Sequence, residues 1–334
     1  MTRYEELRDI FEQRRYFKVV CAAGNEDYEE VRRLALVYTL AGATGIDLSA
    51  HPGIVEAGVK GIEQAFSQAG ALGVVIPHRP YVMVSVGLKG DPHVRKAMIL
   101  KELCSACESC QEACEQSAIT ADYEVMAARC IGCGACSEVC LTEAVGFYSR
   151  KVDFQEILPQ CLKAGAENIE LHAAVADDQA VMRDWQIVAS LVPDNFISMC
   201  VDRSHLSDHH LANRIRQAGE VAGDRLIIQA DGIPMSGSRD DYLTTLQAVA
   251  ISEVIQRTKT PLMLVASGGT NQKTGKLAKL CEVELHGISV GTFARKLVKQ
   301  ELSHPDFDSN PQIVSRAVNL AKNLIDSNLN QISR

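Results

Sequence analysis

The sequence lacks any apolar run of about 18 residues, the length that a membrane-spanning helix requires. It also lacks an apolar signal stretch at its start, where residues 1–6 read MTRYEE. We therefore expect no membrane span and a cytoplasmic, reducing location. The sequence also has fewer basic than acidic residues: 34 Lys and Arg against 42 Asp and Glu, which gives a net charge of −8. This balance argues against a general surface for nucleic acid or anionic membranes.

The length and composition favour one large α/β domain with a small additional module. The chain has 334 residues, of which 46% are hydrophobic, so it can bury a sizeable core. We predict three parts: residues 1–97 as the first part of the large domain, 98–150 as the module, and 151–334 as the remainder.

The module is indicated by eight of the twelve cysteines, which lie in two copies of the spacing C-x2-C-x2-C-x3-C. This is the bacterial ferredoxin run, which holds two [4Fe-4S] clusters and in which the fourth cysteine of each run ligates the other cluster. The predicted ligands are Cys104, Cys107, Cys110 and Cys140 for cluster one, and Cys130, Cys133, Cys136 and Cys114 for cluster two. The run predicts a protein that handles electrons.

Zinc and disulfides are the alternatives for these cysteines, but both fit poorly. Zinc sites usually take two separated pairs of ligands, and disulfides are rare in a reducing compartment. One departure from the ferredoxin pattern stands out: the proline after each fourth cysteine is replaced by Glu115 and by Leu141. The remaining cysteines lie in apolar segments, so we expect buried structural thiols at Cys21, Cys161, Cys200 and Cys281.

Outside the module, short apolar runs alternate with segments of helical period, which predicts parallel strands joined by right-handed crossovers. The predicted strands are Phe17–Ala22, Gly45–Ser49, Tyr81–Gly87, Asn168–His172, Phe196–Asp202, Leu226–Asp231, Leu262–Ser267 and Gly287–Gly291. Eight such units favour a (β/α)8, TIM-like barrel over an open doubly wound sheet. The ferredoxin-like α+β module would then be an insert after the third strand, on the face that carries the strand C-termini.

The predicted strands place polar side chains on one face, opposite apolar neighbours, which indicates a partly polar barrel interior. The candidates for acid/base or substrate-positioning roles are Asp47, Glu170, His172, Asp202 and Asp231. The structural alternative is an internal salt-bridge network without a ligand. Lys18 would then pair with Asp47 or Glu170.

Two loops with glycine follow the seventh and eighth predicted strands, where barrels commonly bind phosphate through backbone N–H groups and a helix N-terminus. The candidate cofactor-binding residues are Ser267, Gly268, Gly269, Thr270, Gly291 and Thr292. The ligand would be FMN or another phosphate-bearing molecule. Tight turns that merely need glycine are the alternative.

Two further motifs receive structural interpretations. Residues Asp91 to Lys96 read as the junction between barrel and module, where basic residues could neutralise cluster charge. His209 and His210, with His205 nearby, read as a solvated helix start rather than a metal site, because adjacent helical residues point in different directions.

Several segments together resemble the LdpA (light-dependent period) family of cyanobacterial iron–sulfur proteins. They are residues 17–21 (FKVVC), 31–47 (VRRLALVYTLAGATGID), the paired cysteine runs, 266–274 (ASGGTNQKT) and 286–295 (HGISVGTFAR). The resemblance spans nearly the whole chain. It implies a cytoplasmic redox protein that passes cellular redox or light state to circadian clock-input proteins, without an established catalytic reaction.

Three functions therefore follow as hypotheses. The first is a redox-sensing electron-transfer protein that has an electron donor or acceptor and clock-input proteins as partners. The second is an oxidoreductase in which the clusters feed electrons to a flavin or phosphorylated substrate at the barrel mouth. In the third, the barrel is only a scaffold and the clusters stabilise structure.

Overall fold

The computed structural model describes residues 1–21, 24, 26–88, 94–149, 153–203, 206–233 and 241–333. It confirms the predicted barrel of eight parallel strands. The barrel strands are β1 Tyr16–Val20, β2 Gly45–Ser49, β3 Tyr81–Gly87, β6 Asn168–His172, β7 Ile197–Val201, β8 Leu226–Asp231, β9 Met263–Ser267 and β10 Gly287–Val290. They close on themselves in the order β1-β10-β9-β8-β7-β6-β3-β2. The open doubly wound alternative is therefore wrong.

Helices surround the barrel, and six of the twelve that the structure describes begin at a residue whose side chain caps the first turn. Asp27, Asp153, Asp177 and Ser207 each accept a hydrogen bond from a backbone N–H in the first helical turn. The helices are α1 Arg3–Glu12, α2 Tyr28–Leu40, α3 Pro52–Ala69, α4 Ser109–Glu112, α5 Ala135–Glu138, α6 Phe154–Lys163, α7 Asp178–Leu191, α8 Asp208–Ala222, α9 Asp241–Arg257, α10 Thr274–Leu280, α11 Thr292–Leu302 and α12 Pro311–Ile332. Among these helices of the described chain, none is long and apolar enough to cross a membrane.

The main core lies between the strands and the helices, as the strand alternation predicts. Ile46, Leu48, Ile169 and Leu171 face outward from their strands and are fully buried against the helix layer. Their neighbours along the strands point into the barrel, because successive side chains of a strand alternate between faces. Register therefore decides which side chains can meet in the interior.

The N-terminal helix α1 closes the bottom of the barrel, a feature that the strand–helix repeat did not predict. Phe11 lies against Tyr16 and Phe196, with ring centroids 4.4 Å and 5.3 Å apart. These residues form a second apolar cluster with the lowest inward-facing side chains of the strands, among them Tyr81. The interior is thus apolar at the bottom, and polar groups begin one layer higher.

The segment between β3 and α6 lies outside the barrel sheet. Its strands β4 Arg95–Ile99 and β5 Val145–Ser149 pair antiparallel, and the cysteine runs lie between them. Each run forms one short helix, α4 or α5. We call residues 95–149 the insert. Of the predicted junction, Asp91 to His93 lie outside the described residues, while Arg95 and Lys96 belong to β4.

Candidate functional site

A cavity of about 280 Å³ opens at the C-terminal ends of the barrel strands, and the insert forms part of its wall. Four of the five acid/base candidates line it: Asp47, Glu170, His172 and Asp231. The fifth, Asp202, follows β7 and is not part of the lining. All six candidate cofactor-binding residues, Ser267 to Thr270 with Gly291 and Thr292, also line the cavity. The insert contributes residues that include Arg95, Lys96 and Cys133.

A buried ion network forms the floor of this cavity. The Lys18 ammonium lies 2.6 Å from Oδ2 of Asp47 and 2.8 Å from Oε2 of Glu170, and all three side chains are buried. Ser85 donates a hydrogen bond to Asp47 at 2.6 Å, and Ser198 donates to Glu170 at 3.1 Å. The predicted pairing of Lys18 is thus present, yet it coexists with an open cavity above it. The interior is not collapsed.

The network shifts the pKa values of its members in different directions. Burial disfavours the Lys18 charge, but the two carboxylates outweigh it and raise the pKa of the Lys18 ammonium above its usual value. Burial likewise disfavours the charge on Glu170, but Lys18 and His172 hold the pKa of that carboxyl at about 2. For Asp47, burial and the nearby Glu170 charge prevail, so its pKa is raised. Glu170 is therefore the firmly ionised partner of Lys18.

Above the network, three different donor types converge. Potential ligand atoms of Glu170, His172 and Cys200 all lie within 4.8 Å of one another. His172 Nε2 is 3.3 Å from Glu170 Oε1. Cys200 is buried, as predicted, but its place beside His172 was not anticipated. Cys200 stands two residues before Asp202 in the predicted strand Phe196–Asp202, so alternation places both side chains on one face, and this was the signal that could have indicated its position.

The glycines of the loop after β9 are required by the packing of the chain itself. A Cβ atom on Gly268 would lie 2.2 Å from Oδ1 of Asp231, and one on Gly269 would lie 2.4 Å from the Ile233 carbonyl oxygen. Both glycines have a positive φ, +58° and +74°. The hydroxyl of Thr270 donates to the Ser289 carbonyl. These contacts support the tight-turn interpretation for residues 268–270.

The loop after β10 is different, because a buried cation faces the cavity there. Arg295 of α11 lines the cavity beside Gly291 and Thr292 and is 6% exposed. Its guanidinium donates to the Val20 carbonyl at 2.8 Å and to the Thr292 hydroxyl at 3.3 Å. Burial lowers the pKa of Arg295. The sequence signal for this residue was its position on the apolar stripe of α11, next to Ala294 and one turn before Val298.

The cysteines of the insert lie in two neighbourhoods. Burial raises the pKa of Cys110, and the further charges that raise it come from Cys104, Cys107 and Cys140. For Cys136, burial and the charges of Cys133, Cys114 and Cys130 raise the pKa to about 11. The fourth cysteine of each run thus lies close to the other run, the relationship that the crossed ligand assignment requires.

The surroundings of these cysteines are compatible with clusters. Cys110, Cys130 and Cys136 belong to a small apolar core of the insert, and all eight cysteines of the runs are free thiols. Backbone N–H groups donate to sulfur at Cys114, Cys130 and Cys140, each at 3.3 Å. Hydrogen bonds of this type tune the potential of bound clusters. The donor set and its environment therefore fit iron–sulfur ligation.

Polar contacts fix the insert on the barrel, and we call this contact region the seam. Lys96 is buried and donates to the carbonyls of Gly24 at 2.6 Å and Cys130 at 2.7 Å. The N–H of Glu26 donates to the Ala128 carbonyl at 2.6 Å across the seam, while Arg95 donates to the Gly132 carbonyl at 2.8 Å within the insert. A further seam contact joins α11 to Glu115.

The remaining predictions concern the histidines around α8 and the cysteines outside the two runs. His210 pairs with Asp178 at 2.6 Å, while His209 contacts Asn213, so the adjacent histidines do diverge. His205 lies outside the described residues. The prediction of a buried thiol is wrong for Cys281, which is exposed because it follows α10 in a surface turn; Cys21, Cys161 and Cys200 are buried as predicted.

The fold belongs to the class of TIM-like (β/α)8 barrels, and solved structures support this. The YdjI aldolase from Escherichia coli K12 matches with a TM-score of 0.50 at 9% identity, over 95% of this chain and 90% of that one. A putative fructose-1,6-biphosphate aldolase from Coccidioides immitis matches with a TM-score of 0.50 at 10% identity, over 98% and 96% of the two chains. At such low identity, the likeness concerns the fold alone.

Sequence comparison defines the family. The family model "Light dependent period A C-terminal domain" matches residues 161–327, half of the chain. The protein Light dependent period A from Synechococcus elongatus is 29% identical over 328 residues, covering 93% of this chain and 90% of that protein. The chain belongs to the light dependent period A (LdpA) family, as the resemblance in the sequence indicated.

Proposed function

We propose that this protein is an iron–sulfur redox protein that modulates input to a circadian clock through protein partners. The observation that carries the proposal is the arrangement of eight free cysteines in two crossed neighbourhoods, beside the mouth of the barrel. The family supports a light- and period-related role. A bound [4Fe-4S] cluster would supply one-electron redox chemistry. The proposed location is the cytoplasm, where the thiols would stay reduced.

The two neighbourhoods differ in what they face. Cys107, of the first group, is exposed, which suits exchange of electrons with a partner at the surface. Cys133, of the second group, is exposed as well, and it lines the barrel cavity. The proposed route of electrons therefore runs from the surface of the insert towards the seam.

A change in the charge of the clusters would alter how the insert contacts the barrel at the seam. An added electron would increase negative charge near Arg95 and Lys96, which hold the backbone of residues 130–132 through their hydrogen bonds. Lys96 also donates to the Gly24 carbonyl of the barrel, so a stronger attraction of its ammonium to the cluster would alter the contact between insert and barrel. Partners that recognise both surfaces would then respond to the redox state.

The test is a measurement of iron, acid-labile sulfide and the ultraviolet–visible spectrum of anaerobically purified protein. We expect eight iron and eight sulfide per chain, from the composition of two [4Fe-4S] clusters. Hydrogen exchange of the oxidised and reduced protein should then differ at residues 95–99 and 126–133. Absence of iron, or identical exchange in both states, would refute the proposal. Replacing buried Cys161, outside the runs, with serine is the matched control that should retain all iron.

A second candidate, an Fe–S oxidoreductase acting on a phosphate-bearing ligand, is favoured by one observation. Cys133 lines the same cavity as Glu170, His172 and Arg295, so a ligand there would lie next to the proposed cluster two. The cavity volume of about 280 Å³ is slightly below the ~300–1,000 Å³ range of typical small-molecule pockets. It favours a ligand smaller than FMN. A flavin spectrum or a phosphate-bearing molecule released on denaturation would support this candidate, and release of no ligand would count against it.

A further inference from the structure

Three arginines of the described chain are buried, and they differ in their partners. Arg214 lies 2.6 Å from a carboxylate oxygen of Asp178. Arg32 lies 2.7 Å from carboxylate oxygens of both Glu29 and Asp308. Arg295 has no carboxylate within 4.0 Å among the described residues, and its Nε atom has no hydrogen-bond partner there. Arg295 is therefore the exception among them.

A buried guanidinium without a carboxylate in contact is energetically costly, and the acidic charges that act on Arg295, Glu30 and Glu115, do so from beyond salt-bridge distance. Arginine does not lose its proton in proteins, so the charge cannot be removed by titration as it can for lysine. Two neutral hydrogen-bond acceptors, the Val20 carbonyl and the Thr292 hydroxyl, compensate only part of the lost hydration. An anion in the cavity would supply what the chain itself does not.

The surroundings of Arg295 suit an anion. Arg295 lies in the first turn of α11, a helix of 11 residues whose N-terminus meets the cavity. The first N–H groups of a helix lack intrahelical acceptors and carry partial positive charge. The N-cap residue here is Gly291, which has no side chain that could cap these groups. Two independent features, the helix end and the buried cation, thus face the same space.

We propose that Arg295 and the N-terminus of α11 bind the phosphate group of a small phosphate monoester. The site rests on the second candidate function and locates its anion on the β10–α11 side of the cavity. On the neighbouring side, at the ends of β8 and β9, Asp231 packs against Gly268, so a carboxylate stands where the β9 loop would otherwise meet the ligand. Glu170 adds negative charge deeper in the cavity. The remainder of the ligand is therefore neutral and polar, with hydroxyl groups that these carboxylates can accept hydrogen bonds from.

The experiment uses the full chain, purified anaerobically, with inorganic phosphate as the probe in equilibrium dialysis. The test variant is Arg295→Met, which keeps the length of the side chain and removes its charge. The matched control is Lys296→Met, which removes the same charge one residue later, where the ammonium contacts Glu115 rather than the cavity. A substitution at Gly269 would not test the site, because the added Cβ would lie 2.4 Å from the Ile233 carbonyl oxygen.

We expect the unmodified protein and Lys296→Met to bind one phosphate per chain with similar affinity. Arg295→Met should bind about tenfold more weakly or worse, since a charge-assisted contact is lost. Phosphate should also raise the melting temperature of the unmodified protein but not that of Arg295→Met, which keeps the test valid if the variant differs in stability. No binding at about 10 mM phosphate, or equal binding by Arg295→Met, would overturn the proposal. Iron content, measured on the same samples, separates this outcome from a failure of the cluster proposal.

Discussion

Glu115 and Lys296 form an ion pair across the seam, with Oε1 and Nζ 2.6 Å apart. Lys299, one turn further along α11, donates to the main-chain carbonyl of Glu115 at 3.0 Å. Glu115 directly follows Cys114 and occupies the position where the ferredoxin pattern has proline. The departure from that pattern thus provides a contact between the insert and the helix that carries Arg295.

The substitution Glu115→Pro restores the proline of the ferredoxin pattern. It should loosen the contact between the insert and α11 without loss of iron. No hydrogen bond of the described residues is donated by the Glu115 N–H, so proline removes none. The ion pair is partly exposed, and such pairs contribute only ~0–1 kcal/mol, so global stability should hardly change. We expect faster hydrogen exchange in α11 and around Cys114, measured by mass spectrometry.

The equivalent change at the other run, Leu141→Pro, is the control for Glu115→Pro. Leu141 is 95% exposed, so its side chain can be lost without disturbing a packed contact. Exchange in α11 should match that of the unmodified protein. Equal exchange in α11 for both proline variants would contradict the tethering role of Glu115.

Much of the fold was predictable from the sequence because two periodicities are strong in it. Alternation within strands, as in residues 45–49 and 168–172, matches a barrel whose outer face is covered by helices. The polar face of the predicted strands correctly indicated Asp47 and Glu170 as partners of Lys18. Helix α1 was missed because its role is tertiary: Phe11 fills the open lower end of the barrel, and no local pattern reveals that end.

The location of the candidate site was predictable from the sequence, but the roles of its glycines and of Arg295 were not. Residues at the ends of strands do converge on one cavity, because all strands of the barrel run in the same direction. The sequence could not distinguish glycines that admit a ligand from glycines packed against their own chain, as Gly268 is against Asp231. Nor could it show that Arg295 lacks the acidic partner that Arg214 has, since partners distant in sequence meet only in the fold.

The crossed assignment of ligands makes a separate prediction for Cys140. We expect Cys140→Ala to lose the same cluster as Cys104→Ala, because Cys140 contributes to the electrostatic neighbourhood of Cys110. Cys114→Ala should instead resemble Cys130→Ala. The measurement is electron paramagnetic resonance of the reduced variants, in which a variant that has lost one cluster shows only the signal of the other. A spectrum of Cys140→Ala that matches Cys130→Ala would mean that each run binds its own cluster.

The loop after β9 should be intolerant of even the smallest side chain. Gly268→Ala would place Cβ 2.2 Å from Asp231 and 2.6 Å from the Gly232 nitrogen, at a φ of +58°. Gly42→Ala is the matched control, since Gly42 also has a positive φ but no atom within 4 Å of the added Cβ. Strain alone costs about 1–3 kcal/mol, so Gly42→Ala should lower the free energy of unfolding by that amount and Gly268→Ala by clearly more. Equal losses in urea unfolding would argue against the close packing of Asp231.

Replacing Lys18 with a neutral residue should make the free energy of unfolding depend on pH. Lys18→Met leaves two carboxylates buried without their shared partner, which should cost about 3–5 kcal/mol near neutral pH. The control is Lys273→Met, whose 3.6 Å pair with Asp241 is half exposed and should contribute at most ~1 kcal/mol.

The sign of the pH dependence follows from the shifted carboxyl groups. With Lys18 present, the pKa of Glu170 is about 2, so its contribution holds above the usual pKa and is lost only as pH falls towards 2. Without Lys18, burial raises the pKa of both Asp47 and Glu170, and protonation then stabilises the folded state as pH falls. The free energy of unfolding that Lys18→Met loses, measured by urea unfolding, should therefore be smaller at about pH 5.5 than at about pH 7. A loss that stays constant over this interval would show that the two carboxylates regain solvent when Lys18 is absent.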